Sequence, residues 1–271
     1  MSITLETRPQ YINELESAIP SEGMTHDTLA VNFRKKNLRL GVDQVHQDAL
    51  DTILDDDCAS VATELADHNR RVGILAGAIL PLAYPEYADP YHIGRIRIGG
   101  AGHDIGKPDI DPGVLGRSLG LPGFGRFDRT TEMPEMQRHP QLGYEKVIKN
   151  QDGLPLDVAY FAALHHQFPE AGFEPYGMDL IELEKVFSDN PLRAHWLRAG
   201  SKVIAMADYI DASNRNNGYF VSDNARDARI YKYTVHNFGN LAPQILEVVS
   251  EARLETLSYV QQTVGHPAIA S

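Results

Sequence analysis

Apolar residues in this chain recur at steps of three and four, and almost nowhere at steps of two. That spacing confines the chain to helices, because it marks one face of a 3.6-residue turn, whereas a half-buried strand alternates. Residues 51–66 carry Ile53, Leu54, Cys58, Val61, Ala62 and Leu65 in this pattern, and residues 69–80 continue it with Val72, Leu75, Ala76 and Ile79. Residues 155–167 open with Pro155 and Asp157, both helix-start features. Residues 194–212 (Trp196, Ala199, Val203, Ile204, Ala207) and 241–263 (Ile245, Val248, Val249, Leu254, Leu257, Val260) give two more helices. The one alternating run, Arg95-Ile96-Arg97-Ile98, is very short. The expectation is an all-α fold.

Two stretches read as long loops. Residues 109–129 hold Gly113, Gly116, Gly120, Gly123 and Gly125 with Pro112 and Pro122, and residues 168–179 hold Pro169, Gly172, Pro175 and Gly177. Long loops in compact domains often carry function. Residues 1–50 read as an N-terminal extension whose basic cluster, Arg34-Lys35-Lys36, fits a solvated helix face. Residues 213–271 read as a C-terminal helical segment.

Composition removes several classes of function. Acidic residues number 37 against 25 basic, a formal net charge of −12, so the long-range field repels polymeric nucleic acid and anionic membranes. A small anionic substrate in a locally positive pocket is still compatible with that field. The lone cysteine, Cys58, excludes an intramolecular disulfide and a cysteine-built zinc cluster, and its apolar setting reads as core. No targeting segment or membrane span is legible, and the expected location is the cytoplasm.

The histidines carry the chemistry. Of 11, five stand in contexts that read together: His68, His103 beside Asp104, His139 before Pro140, and the adjacent His165 and His166. Asp208 belongs with them. A carboxylate among Ala205, Met206, Ala207, Tyr209 and Ile210 is costly to bury without a partner, which an ion or a buried Arg or Lys would supply. Imidazole and carboxylate suit Fe, Mn, Zn and related ions. Neighbouring helical residues point about 100° apart, so adjacent pairs can serve two ions side by side, and an Asp between them can bridge. Two ions about 3.5–4 Å apart can polarise a phosphate and generate hydroxide.

In order along the chain these residues read His, His-Asp-Ile-Gly-Lys, His-Pro-x-x-Gly, His-His and Ala-Asp-x-x-Asp-Ala. That series resembles the HD superfamily of metal-dependent phosphohydrolases, most closely the HD-GYP branch, which hydrolyses cyclic di-GMP. The resemblance covers residues 51–212, about 60% of the chain. It implies an HD-domain helical bundle and a two-ion centre, Fe or Mn foremost, with His68, His103, Asp104, His139, His165, His166 and Asp208 as ligands and Asp104 bridging. It implies in-line attack by metal-bound hydroxide on a cyclic dinucleotide or another phosphate ester. Asp104 and Lys107 would then be catalytic, Lys107 and Arg71 would contact the phosphate, and Glu64, on the His68 face, would help hold a third ion. On residue grounds Arg71 also fits a helix-surface ion pair and Glu64 a supporting carboxylate. Asp211, near one turn from Asp208, reads as a histidine-orienting group.

The chain departs from the branch in its substrate-facing loops. His165-His166 is followed by Gln167 rather than Glu, and the later loop reads Glu174-Pro175-Tyr176-Gly177-Met178 where the branch has Gly-Tyr-Pro. Four alternatives remain open at this point. An HD-type mixed-valent diiron oxygenase would resemble four His with two Asp, and the fifth His weighs against it. A silent binding or signalling domain is opposed by the intact ligand set. A single-ion triphosphohydrolase would use His139, His165 and His166 on its substrate. The helix at 241–263 could cover the core or pair two subunits into a homodimer.

Overall fold

The computed structural model describes residues 56–121, 123–149, 154–214 and 223–250. Nine α-helices lie among them: α1 (Asp56–Ala83), α2 (Pro90–Gly102), α3 (Pro112–Ser118), α4 (Arg129–Met136), α5 (His139–Lys149), α6 (Leu156–Leu164), α7 (Leu180–Val186), α8 (Pro191–Asn214) and α9 (Asp223–Phe238). Residues 242–250 are also helical, and no described residue is in a strand. The all-α expectation therefore holds. No helix among the described residues is long and apolar enough to cross a membrane. The extension over residues 1–50, its Arg34-Lys35-Lys36 cluster, the Cys58 side chain and residues 251–263 of the last expected helix lie outside what is described.

The two helices expected at 51–66 and 69–80 are one. The apolar stripe runs on through His68 and Asn69, both buried, so no break is needed and α1 extends for 28 residues. The alternating Arg95–Ile98 run, too short to read as a strand, is also helical. The Asp89 side chain accepts hydrogen bonds from the Tyr91 and His92 amides, and Pro90 occupies the first turn, so capping decides the local structure. The loop expected at 109–129 contains α3, capped by Asp111 on the Val114 amide. Its apolar side, Val114 and Leu115, packs with Ile110, Leu119 and Met136 into a satellite core beside the site. The 168–179 stretch forms no helix, as read.

The main core is built around α6. Every residue from Asp157 to Leu164 is buried. A helix that is apolar all round belongs inside, and α1, α2 and α8 surround it with Leu75, Ile79, Ile96, Trp196, Val203 and Ile204. The one charge it takes inward, Asp157, accepts from Trp196 Nε1 at 3.1 Å and pairs with Arg193.

Glycine sets how closely the site-bearing helices approach. A Cβ on Gly100 would stand 2.8 Å from the Gly73 Cα, so α1 and α2 touch backbone to backbone. That contact places the His68 and His103 rings 5.3 Å apart between centroids. A Cβ on Gly106 would meet the His139 carbonyl oxygen at 2.1 Å and the Gly143 nitrogen at 2.5 Å. The start of α5 is thereby seated on the turn that carries Asp104.

Candidate metal centre

Three of the five histidines stand just beyond helix C-termini, where the last turn leaves carbonyl oxygens without helical partners. His103 follows α2 and reaches the Gly100 oxygen through Nδ1 at 2.7 Å. His139, after α4, reaches the Met136 oxygen at 2.7 Å. His165, after α6, reaches the Ala162 oxygen at 2.9 Å. A carbonyl only accepts, so Nδ1 donates in each ring, and the neutral ring holds its lone pair on Nε2. His68, on α1, has the same tautomer by another route, donating from Nδ1 to Asp211 Oδ2 at 2.8 Å. The C-termini of α2 and α6 bring their negative dipole ends to one place, which favours a cation there, while His139 itself opens α5.

The lone pairs converge in two sets. His68 Nε2 and His103 Nε2 lie 3.1 and 3.7 Å from Asp208 Oδ1. His139 Nε2 lies 3.3 Å from His165 Nε2 and 3.1 Å from His166 Nε2. Asp104, fully buried, stands between them and divides its oxygens. Oδ2 faces His68 at 3.5 Å and His103 at 3.3 Å, while Oδ1 faces His139 at 3.3 Å and His165 at 3.8 Å. The groups His68–His103–Asp208, His139–His165–His166 and His103–Asp104–His165 each gather their ligand atoms closely enough to hold a metal ion.

Two features show that these residues fit a cation. His103 Nε2 and Asp104 Oδ1 are buried without a hydrogen-bond partner, and buried polar atoms are rarely left so. Between His139 and His165, two Nε2 lone pairs face each other, a repulsion that a shared cation reverses. Burial makes both rings reluctant to charge, pushing His139 down to about 4 and His165 down to about 3, so a proton does not fill that role near neutral pH. Burial likewise holds His166 well below the ordinary imidazole range. His103 goes the other way. Burial works against its charged form, but Asp104 and Asp208 prevail and raise it to about 9, so its Nε2 faces them with a proton whose place an ion would take. Asp104 and Asp208 stay ionised despite burial, Asp104 through His103 and Lys107, Asp208 through His103 and His68.

The remaining candidates sit around this cluster. Lys107 pairs with Asp104 Oδ2 and keeps a small exposed edge. Arg71 is half-buried and already paired. Its Nε donates to Asp211 Oδ1 at 2.7 Å and its Nη2 to Glu64 Oε1 at 3.3 Å. Glu64 therefore meets Arg71, and it belongs to none of the three metal-holding groups. Arg71 and Asp211 together fix the ring of His68, and burial notwithstanding, those partners hold Asp211 down to about 2.

Sequence reasoning assigned no role to Tyr176, which stacks on His166, or to α9, which ties down the loop between them. The loop's composition announces a connection and nothing of the ring contact. Compared with family models, with curated proteins and with solved structures, the chain finds no match.

Proposed function

We propose that the protein is an HD-type phosphohydrolase with a two-ion centre, acting on a small phosphodiester, a cyclic dinucleotide foremost. The division of Asp104 carries this reading: one carboxylate, fully buried, turns one oxygen toward each of two imidazole sets. His68, His103 and Asp208 would hold one ion and His139, His165 and His166 the other, with Fe or Mn foremost. Bound there, the pair would activate water and polarise a phosphate.

The chain's own groups prepare the rest. Ring orientations are set in advance by Gly100, Met136, Ala162 and Asp211, so four rings turn Nε2 to the ions without rotation. Lys107 puts an ammonium beside Asp104, where a phosphate oxygen gaining charge in the transition state would be stabilised. Arg71 acts behind the site, through Asp211. The fifth histidine favours this reading over the diiron oxygenase.

The test is anaerobic reconstitution with Fe(II) or Mn(II), metal analysis, and turnover of cyclic di-GMP, a mixed cyclic dinucleotide and a chromogenic phosphodiester. Cleavage with about two ions per chain is expected. Two ions with no cleavage of any phosphodiester, together with oxygen uptake, would replace the hydrolase by the oxygenase.

A further inference from the structure

We infer that Tyr176 is the positioning residue for His166, and that through it the 168–179 loop sets the occupancy of the second ion. This rests on the two-ion reading above. Four site histidines are oriented through Nδ1 by a carbonyl or a carboxylate. His166 is held differently. Among the described residues its hydrogen bonding runs through Nε2, to His139 Nε2 at 3.1 Å, which is the contact an ion would replace. Since the His139 proton is on Nδ1, the His166 ring must give the hydrogen in that bond. Holding an ion therefore costs His166 a change of tautomer that the other four rings are spared.

What orients His166 instead is an aromatic face. The Tyr176 ring lies on it with centroids 4.1 Å apart and planes 21° apart. The His165 ring meets the same ring at 3.9 Å between centroids, tilted by 45°. Offset stacking fixes the plane of a ring and leaves its nitrogens available.

The loop places Tyr176 by hydrogen bonds to the strip it covers. The Tyr176 amide donates to the His166 oxygen at 3.4 Å, Gln167 Nε2 donates to the Tyr176 oxygen at 2.9 Å, and the Met178 amide donates to the Ala163 oxygen at 2.9 Å. Gly177 turns the chain at φ 91°, over the Ala163 oxygen. From outside, α9 braces the loop. Arg229 Nε donates to both oxygens of Glu170 at 2.9 Å, and the Tyr233 hydroxyl donates to the Phe168 oxygen at 2.6 Å. Tyr233 in turn stacks on Tyr209, the residue after Asp208, at 3.8 Å. The brace thus joins the helix of the first ion's carboxylate to the loop over the second ion's weakest ligand.

The experiment titrates the full chain with Mn(II) alone, by calorimetry and electron paramagnetic resonance, in wild type, Tyr176→Leu, Tyr176→Phe and Glu170→Gln. Wild type should bind two ions with the spectrum of a coupled pair. Tyr176→Leu should bind the first ion normally and the second at least about tenfold more weakly, so that isolated-ion signals replace the coupled spectrum. Tyr176→Phe, which keeps the ring, should follow wild type. Glu170→Gln, remote from the ligands, should weaken only the second ion, by less than Tyr176→Leu. An unchanged second affinity in Tyr176→Leu, or an equal loss in Tyr176→Phe, would overturn the inference and leave the two-ion reading standing. If Tyr176→Leu does not fold, wild-type behaviour in Glu170→Gln would overturn it. A wild-type stoichiometry of one would overturn both readings.

Discussion

Gly106→Ala tests the seating of α5 on the Asp104 turn, and its size can be worked from the geometry. The added Cβ would lie 2.1 Å from the His139 oxygen and 2.5 Å from the Gly143 nitrogen, where ordinary contact begins at 3.4 Å. Both obstacles are backbone, so no side chain can swing aside. The start of α5 must retreat by roughly 1 Å, far outside the ±0.2 Å within which metal–ligand distances are normally held. His139 rides on that turn, and its Nε2 faces Asp104 Oδ1 at 3.3 Å. Overpacking of this kind costs about 1–3 kcal/mol of stability. The variant should therefore melt lower by several degrees and lose the His139–His165–His166 ion. The His68–His103–Asp208 ion should remain, because α1, α2 and α8 do not pass through Gly106. Thermal melting and Mn(II) titration read the two effects separately. A variant that binds both ions with wild-type affinity would refute the claim that this close approach positions His139.

Asp211→Ala removes the acceptor of the His68 Nδ1–H and the partner of Arg71, and should weaken the first ion by about 10–100-fold in a direct metal titration. The same variant leaves a buried imidazole N–H unpaired, worth about 1–3 kcal/mol in a denaturant melt; unchanged metal affinity would remove Asp211 from the site. Lys107→Ala should keep both ions and lose at least about tenfold in turnover, since it removes a cation and no ligand; loss of metal instead would assign Lys107 to holding Asp104.

The parts of the fold that the sequence shows are those where local pattern and tertiary packing agree. The stripe of α1 and the uniform apolarity of α6 could be read directly, because burial there is what makes the helix. Helices α2 and α3 hide because glycine lowers their intrinsic propensity. At Gly100 and Gly116 the missing side chain is required by contact, with the Gly73 backbone in one case and the Phe124 ring in the other. A residue chosen for close approach looks, in sequence, like a loop residue. Helix α9 falls in the segment read as helical, but its bounds are hidden for the opposite reason. Among its described side chains only Ile230, Tyr233 and Thr234 go inward, too few to leave a period.

At the site the asymmetry is sharper. Side-chain type announces a ligand, so His68, His103, Asp104, His139, His165, His166 and Asp208 could be gathered from sequence by their chemistry and brought within a few ångströms of one another by the fold. What makes them ready is largely backbone, and backbone has no letter. The carbonyls of Gly100, Met136 and Ala162 would serve equally well from any residue, since only their place at a helix end matters. The rule they share is nonetheless positional: each histidine stands three residues beyond its carbonyl, just past a helix C-terminus. A histidine in that position has its tautomer fixed by the orphan carbonyl of the last turn, and its Nε2 points away from the helix. Reading for that placement, rather than for histidine alone, separates His103, His139 and His165 from exposed histidines such as His195. It also isolates His166, which lacks such a carbonyl and is held instead by the ring of Tyr176.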